Sequence, residues 1–313
     1  MATPEGAFVD RFTGCLLGLA IGDALGVQRA YRSPDQRETH LRHAPRLEPD
    51  SEIAVPAGQF SLNTELALCL LETLATSDGF VDPELATFRF ENAVARTEYL
   101  GEARERAAIA FAGEHEAFQA GGDTPSSKYA GPAARVVPIA LAHSLSDLNI
   151  ALVIREVMRS VLLTDGNPEV VNGALAFTHA IRMVVRQELP IEMLIDEVLS
   201  LIDEDDVARA LRSGAPSVVD AAVAPVVARG LHAFVLGDGD LERSLSIAYA
   251  AGGATHLTGS IAGALCGAYK GASALPQELI DGLEGRAYVL MAAPALLRTA
   301  QLRAGLLFQL RLR

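Results

Sequence analysis

Basic residues are scarce in this chain. Its 313 residues hold 26 Lys and Arg against 39 Asp and Glu, a formal net charge of −13. Nucleic-acid grooves and anionic membrane surfaces reward clustered Lys and Arg, so neither is an expected partner. Cysteine is sparse too. Cys15, Cys69 and Cys266 are far apart and odd in number, and each lies in an apolar, small-residue run. They read as buried thiols, and no Cys/His set has zinc spacing. The opening MATPEGAF lacks a basic region followed by an apolar stretch, so no signal peptide is expected. The apolar run 15–21 is too short to span a bilayer and is followed at once by Asp23. Repeats of 20–50 residues and low-complexity tracts are absent as well. The expectation is a cytoplasmic chain without a membrane or nucleic-acid partner.

Apolar residues, by contrast, make up half of the chain, enough for a sizeable core and too many for a disordered segment. Their spacing is helical. Ile191, Leu194, Ile195, Val198, Leu199 and Ile202 form one stripe, with Glu192, Asp196 and Glu197 outside it. Leu66, Leu70, Leu71 and Leu74 do the same after Asn63 and Thr64, either of which is a candidate cap. Further helices are expected over 148–163, 169–186, 218–236 and 241–251. Alternating β patterns are nearly absent. Loops are expected at 33–58 and 121–132, where Pro, Gly and polar residues gather. The Gly121-Gly122-Asp123-Thr124 run reads as loop, and the acidic run Asp203-Glu204-Asp205-Asp206 as a solvated helix end or turn. The class is all-α, one multi-helix unit over 1–313.

Glycine recurs every fourth residue at Gly14, Gly18, Gly22 and Gly26, and again at Gly259, Gly263, Gly267 and Gly271. On a helix that spacing keeps them near one face. A glycine inside a helix costs roughly 1 kcal/mol relative to alanine, so a stripe needs compensation by a closely approaching backbone. Two such helices are expected to pack at short range against neighbours or against each other.

Four segments hold candidate chemistry. Asp23, in GCLLGLAIGDALG, is costly to bury unless it is paired, hydrogen-bonded or cation-bound. It is either an acid held by backbone amides or an Arg, or a site carboxylate. The segment Ser61-Leu62-Asn63-Thr64-Glu65 opens a helix, where free amides and small polar side chains suit a cap or a ligand. In Gly252-Gly253-Ala254-Thr255-His256-Leu257-Thr258, His256 is a structural residue or a general base. Arg135, after the Gly131-Pro132 turn, is an anion binder or an anchor between helices.

These segments together resemble the ADP-ribosylglycohydrolase family, which includes the dinitrogenase-reductase-activating glycohydrolases. GCLLGLAIGDALG resembles the family's opening motif. GQFSLNTELALCLLETLA stands where the family has Thr-Asp-Asp-Thr and a following helix. AGPAARVVPIAL, LLTDGNPEVVNGALA and GGATHLTGSIAGALCGA follow in the family's order, over roughly residues 11–280. The resemblance implies an orthogonal all-α bundle. It also implies cleavage of the N- or O-glycosidic bond of ADP-ribose with two magnesium ions.

Carried over position by position, the family's site is altered. Asp23 is retained. The acidic position just after the first motif falls at Ala30. Thr-Asp-Asp-Thr falls at Ser61, Leu62, Asn63 and Thr64, and the last Asp-Thr-Asp-Thr at Ala254, Thr255, His256 and Leu257. The substrate-loop Asn falls at Ala130, while Gly131, Arg135 and Pro138 match, and the histidine after Leu-Thr falls at Asp165. Magnesium asks for hard, preferably charged oxygens. The expectation is therefore no metal and no other cofactor. The protein would keep a pocket for ADP-ribose, another nucleotide-like ligand or a protein partner, formed by Ser61, Asn63, Thr64, Gly131, Arg135, Asp165 and Thr255. The alternative is a metal-independent enzyme acting on a glycosidic or related bond, with Asp23 and His256 as catalytic acid and base.

Overall fold

Side chains normally hold packed helices 8–10 Å apart, and glycine removes them. The computed structural model describes residues 4–29, 41–44, 46–47, 54–99, 128–214, 220–250 and 252–307. Its first helix, α1 (Pro4–Val27), carries one glycine stripe. Four short and medium helices follow: α2 (Leu62–Thr76), α3 (Pro83–Tyr99), α4 (Gly131–Ala134) and α5 (Val137–Ala142). Then come α6 (Ile150–Val161), α7 (Pro168–Arg186), α8 (Leu194–Leu201), α9 (Asp206–Arg212), α10 (Val223–Leu236) and α11 (Leu241–Ala250). The second stripe lies on α12 (Thr255–Lys270), before α13 (Gln277–Asp281) and α14 (Arg286–Arg303). The fold is all-α. A two-residue antiparallel ladder, Arg46–Leu47 against Ala54–Val55, lies between α1 and α2.

The two glycine stripes face each other. Gly14 meets Gly267, Gly18 meets Gly263 and Gly22 meets Gly259, an antiparallel register without a slip. A Cβ added at Gly18 would stand 2.0 Å from the Gly263 carbonyl oxygen, and one at Gly263 would stand 2.2 Å from that of Gly18. No side chain fits there. Carbonyls face Cα hydrogens directly, a weak contact that only such proximity allows. At the end of the seam Gly26 lies against the backbone of Thr255 and His256. The helices α7, α10 and α11 also pack on α12, and α14 covers α1, α2 and α5.

Local chemistry sets the helix starts. Asn149 caps α6 by accepting from the Leu152 amide, and Asn167 caps α7 just before Pro168. Asp205 caps α9, accepting from the Val207 and Ala208 amides, so the acidic run is the turn expected of it. The stripe at 191–202 begins as a 3-10 turn (Ile191–Met193) and continues as α8, burying Leu194 and Val198. The cap of α2 is Ser61, whose Oγ accepts from the Asn63 amide, and not Asn63 or Thr64. Thr64 is already helical, and its hydroxyl has another partner.

One hydrophobic cluster runs from Phe12 in α1 to Ala300 in α14. All three cysteines are buried free thiols, and burial pushes Cys266 up to about 12. No helix among the described residues is long and apolar enough to cross a membrane. Ala30, Gly121-Gly122-Asp123-Thr124 and most of the two expected loops lie outside the described residues.

Candidate functional site

Asp23 sits one residue past Gly22, where the seam ends, and is wholly buried. Its Oδ2 accepts two hydroxyl hydrogen bonds, from Ser61 Oγ at 2.8 Å and from Thr64 Oγ1. The helix start makes this possible. Ser61, as the cap, accepts from the Asn63 amide while its own hydrogen points to Asp23, and Thr64 stands three residues on, along the same face. Among the described residues Asp23 Oδ1 has no partner. Burial pushes the carboxyl up to about 6, although the two hydroxyls pull it down.

Asn63 is also wholly buried, and both polar atoms of its amide lack partners among the described residues. Buried polar groups are ordinarily hydrogen-bonded, so the Asn63 amide and the Asp23 Oδ1 atom both stand out among the described residues.

The start of α12 closes the same end of the seam. Thr255 Oγ1 donates to the Gly26 carbonyl at 2.8 Å, and Ser260 Oγ donates to that of His256 at 2.6 Å. Burial pushes the His256 imidazole down to about 3. No hydrogen bond joins it to Asp23; the carboxylate's bonds go to Ser61 and Thr64. Tyr249, which sequence reasoning missed, donates its hydroxyl to the Gly22 carbonyl at 2.7 Å. The Arg29 guanidinium lies 5.2 Å from the centre of the Tyr249 ring. The available signal for Tyr249 was its place just before the Gly252-Gly253 turn.

The remaining expected residues lie around the short helix α4, which packs on both α2 and α12. Arg135, wholly buried at the end of α4, donates to the Ser160 carbonyl at 3.1 Å and to the Thr164 hydroxyl. Its guanidinium lies 5.0 Å from the centre of the Phe90 ring. These contacts tie α3, α4 and the end of α6 together. Asp165 Oδ1 accepts from the Asn167 amide at 2.8 Å, shaping the turn into α7. Gly131 is buried as the first residue of α4.

The Asp23 neighbourhood can therefore offer one carboxylate, two hydroxyls that already donate to it, an amide and an imidazole. Among the described residues no group of three or more His, Cys, Asp and Glu side chains is arranged to hold a metal ion.

A model of the ADP-ribosylglycohydrolase family matches residues 4–305. An uncharacterized protein of Archaeoglobus fulgidus is 28% identical over 301 residues, covering 90% of this chain and 93% of that protein. An ADP-ribosylarginine hydrolase of Pseudomonas putida is 33% identical over 156 residues, which is 46% of this chain and 39% of the hydrolase. A solved structure described as an ADP-ribosylglycohydrolase-related protein complex superposes with a TM-score of 0.75 at 25% identity, covering 94% of this chain and 99% of that one.

Proposed function

The chain belongs to the ADP-ribosylglycohydrolase family, and we propose that it keeps a nucleotide-ligand pocket but not the paired-magnesium site or the hydrolysis that depends on it. The observation that carries this reading is the state of Asp23. Its carboxyl is buried and held by two neutral hydroxyls. Two magnesium ions bring four positive charges and ask for several charged oxygens close together. Asp23 supplies one. Ser61 and Thr64 supply neutral oxygens whose hydrogens point at that carboxylate, and Asn63 supplies an amide. This donor set does not fit a metal pair.

The same atoms suit a polar, uncharged group. Asn63 offers an unused donor and an unused acceptor, and Asp23 Oδ1 an unused acceptor. A ribose hydroxyl pair has the matching complement. The ligand is accordingly ADP-ribose or a relative of it, bound in a cytoplasmic protein.

Calorimetric titration of the full chain tests this. One ADP-ribose should bind with the same Kd with and without magnesium, and magnesium alone should give no heat. Tight uptake of two magnesium ions per chain would refute the loss of the metal site. No heat with ADP-ribose, alongside no magnesium uptake, would assign the protein to a role with a protein partner instead.

The metal-independent enzyme is the weaker reading. It asks His256 to act as a base, but an imidazole pushed down to about 3 has little affinity for a proton at neutral pH. Turnover of an ADP-ribosyl substrate that disappears in folded Asp23→Asn and His256→Ala variants would reverse that ranking.

A further inference from the structure

The other end of α2 opens on a different site. A cleft of about 870 Å³ lies between the turn after α2, the start of α6 and the last turns of α14. That volume falls within the range of small-molecule sites. Two adjoining rows of α14 form one wall, Ala295, Thr299 and Arg303 beside Arg298 and Leu302, and Phe80, Asp78 and Leu152 lie opposite. The helix between this cleft and Asp23 has 15 residues, about 22 Å at the α-helical rise.

In a chain of net charge −13 this corner is rich in guanidinium. Arg303 Nη1 donates to the Gly79 carbonyl at 2.6 Å, Nη2 contacts His143 Nδ1 at 3.3 Å, and the guanidinium lies 4.3 Å from the centre of the Phe80 ring. Its buried Nε has no partner among the described residues. The turn is shaped to admit it. Asp78 and Gly79 both take positive φ, and a Cβ on Gly79 would stand 2.4 Å from Arg303 Cδ. Arg155 lies 6.0 Å from the same ring centre. Arg298 is exposed in the cleft wall and makes no ion pair among the described residues.

Two carboxylates face these cations. Glu156 is wholly buried and already engaged, with the Val81 amide at 2.6 Å, Arg155 Nε at 3.1 Å and Arg159 Nη1 at 3.5 Å. Asp78 is exposed at the rim. Arg155 and Arg303 stand against the Phe80 ring, and Arg298 adds a third guanidinium to the cleft wall. Positive charge is felt at His143, which burial and then Arg303, Arg182 and Arg155 push down to about 3.

We propose that this cleft binds a small organic anion, its phosphate or carboxylate group at Arg298 and Arg303 and a planar apolar body beside Phe80, Leu152 and Leu302. Guanidinium forks suit both oxyanions, and the apolar wall and Phe80 suit a flat ring. The site is independent of the ligand assigned to the Asp23 cluster.

Titration of the full chain with phenyl phosphate, benzoate and neutral benzyl alcohol tests it. Saturable binding of phenyl phosphate or benzoate is expected, with benzyl alcohol much weaker; the anion that binds identifies the headgroup. Arg298→Glu replaces an exposed side chain and should leave the melting temperature unchanged while weakening the anion about tenfold or more, the loss expected for a charge-assisted hydrogen bond. Phe80→Leu should weaken it about threefold. No saturable binding of either anion, equal binding of benzyl alcohol, or an affinity unchanged by both substitutions would overturn the proposal.

Discussion

Helix α1 runs from a tightly constrained seam with α12 into a buried polar cluster that it shares with the start of α2. Along the middle of the seam, α1 and α12 touch through backbone alone, and each glycine excludes every other residue by the position of one carbonyl oxygen. A few residues further on, at Asp23 and Asn63, three buried polar atoms have no partner among the described residues. The first region is fully determined by sterics. The second is held by a cap, a hydroxyl and a buried acid that is only partly compensated. Packing frame and site chemistry are thus separable here: the Asp23 neighbourhood can change its polar groups without moving the helices that carry it.

The sharpest way to break this contrast is to load the seam. Gly18→Leu forces a side chain into the Gly263 carbonyl and should cost about 4 kcal/mol or more, read as loss of the folded baseline in urea. A mild effect there would mean that the helices can separate and that the seam is not what fixes the frame.

Next comes Asp23. Its folded pKa of about 6 stands above the ordinary 3.8, so protonation favours the fold. That stabilisation is complete below about pH 4 and is lost as pH rises through about 6. His256 runs the other way. Its folded value of about 3 stands below the ordinary 6.5, so its contribution is present above about pH 6.5 and lost as pH falls toward 3. The two oppose each other in the wild type. Asp23→Asn removes only the first, so from about pH 4 to pH 7 its stability relative to wild type should rise by about 3 kcal/mol. Denaturation midpoints of both proteins across that range check it, and a constant difference would show that Asp23 is not the buried acid described.

Ser61→Ala is smaller. It removes a helix cap and one hydroxyl from Asp23, and should cost about 1–2 kcal/mol in chemical denaturation. The smallest expected effect is that of magnesium. At about 10 mM it should leave the melting temperature unmoved, since an ion stabilises a fold only by binding it. A rise of several degrees would restore the metal pair and blur the line between frame and site.

The frame was largely legible in the sequence because its causes are local. Glycines four apart lie on one helical face whatever surrounds them, and apolar residues at helical spacing mark α6, α7, α10 and α11 within a few residues of their observed bounds. What the stripes could not tell was that they meet each other. The helix α14 escaped notice because its polar and apolar residues follow no single stripe and Pro294 lies inside it. At the site, Asp23 was legible as an expensive carboxylate, but its partners were not. Backbone amides or an Arg were the structural expectation, and hydroxyls from α2 took that place. The displaced cap follows from where the helix begins: it starts at Leu62, so Thr64 is already inside the first turn and Ser61 holds the cap position. Arg135 was readable as an anion binder or an anchor, but Ser160, Thr164 and Phe90 are distant in sequence and only tertiary packing brings them to it.

The seam also works as a vernier. A slide of one residue between α1 and α12 would drive Leu or Ala side chains into carbonyl oxygens, and only a jump of a full four-residue step would set glycine on glycine again. Alignment of the two helices is therefore quantised, and the wrong notches leave glycines overhanging at one end. An early helix must wait for a late one to be synthesised, its bare backbone strip uncovered in the meantime, and an intermediate lacking α12 has nothing else of the right shape to cover it.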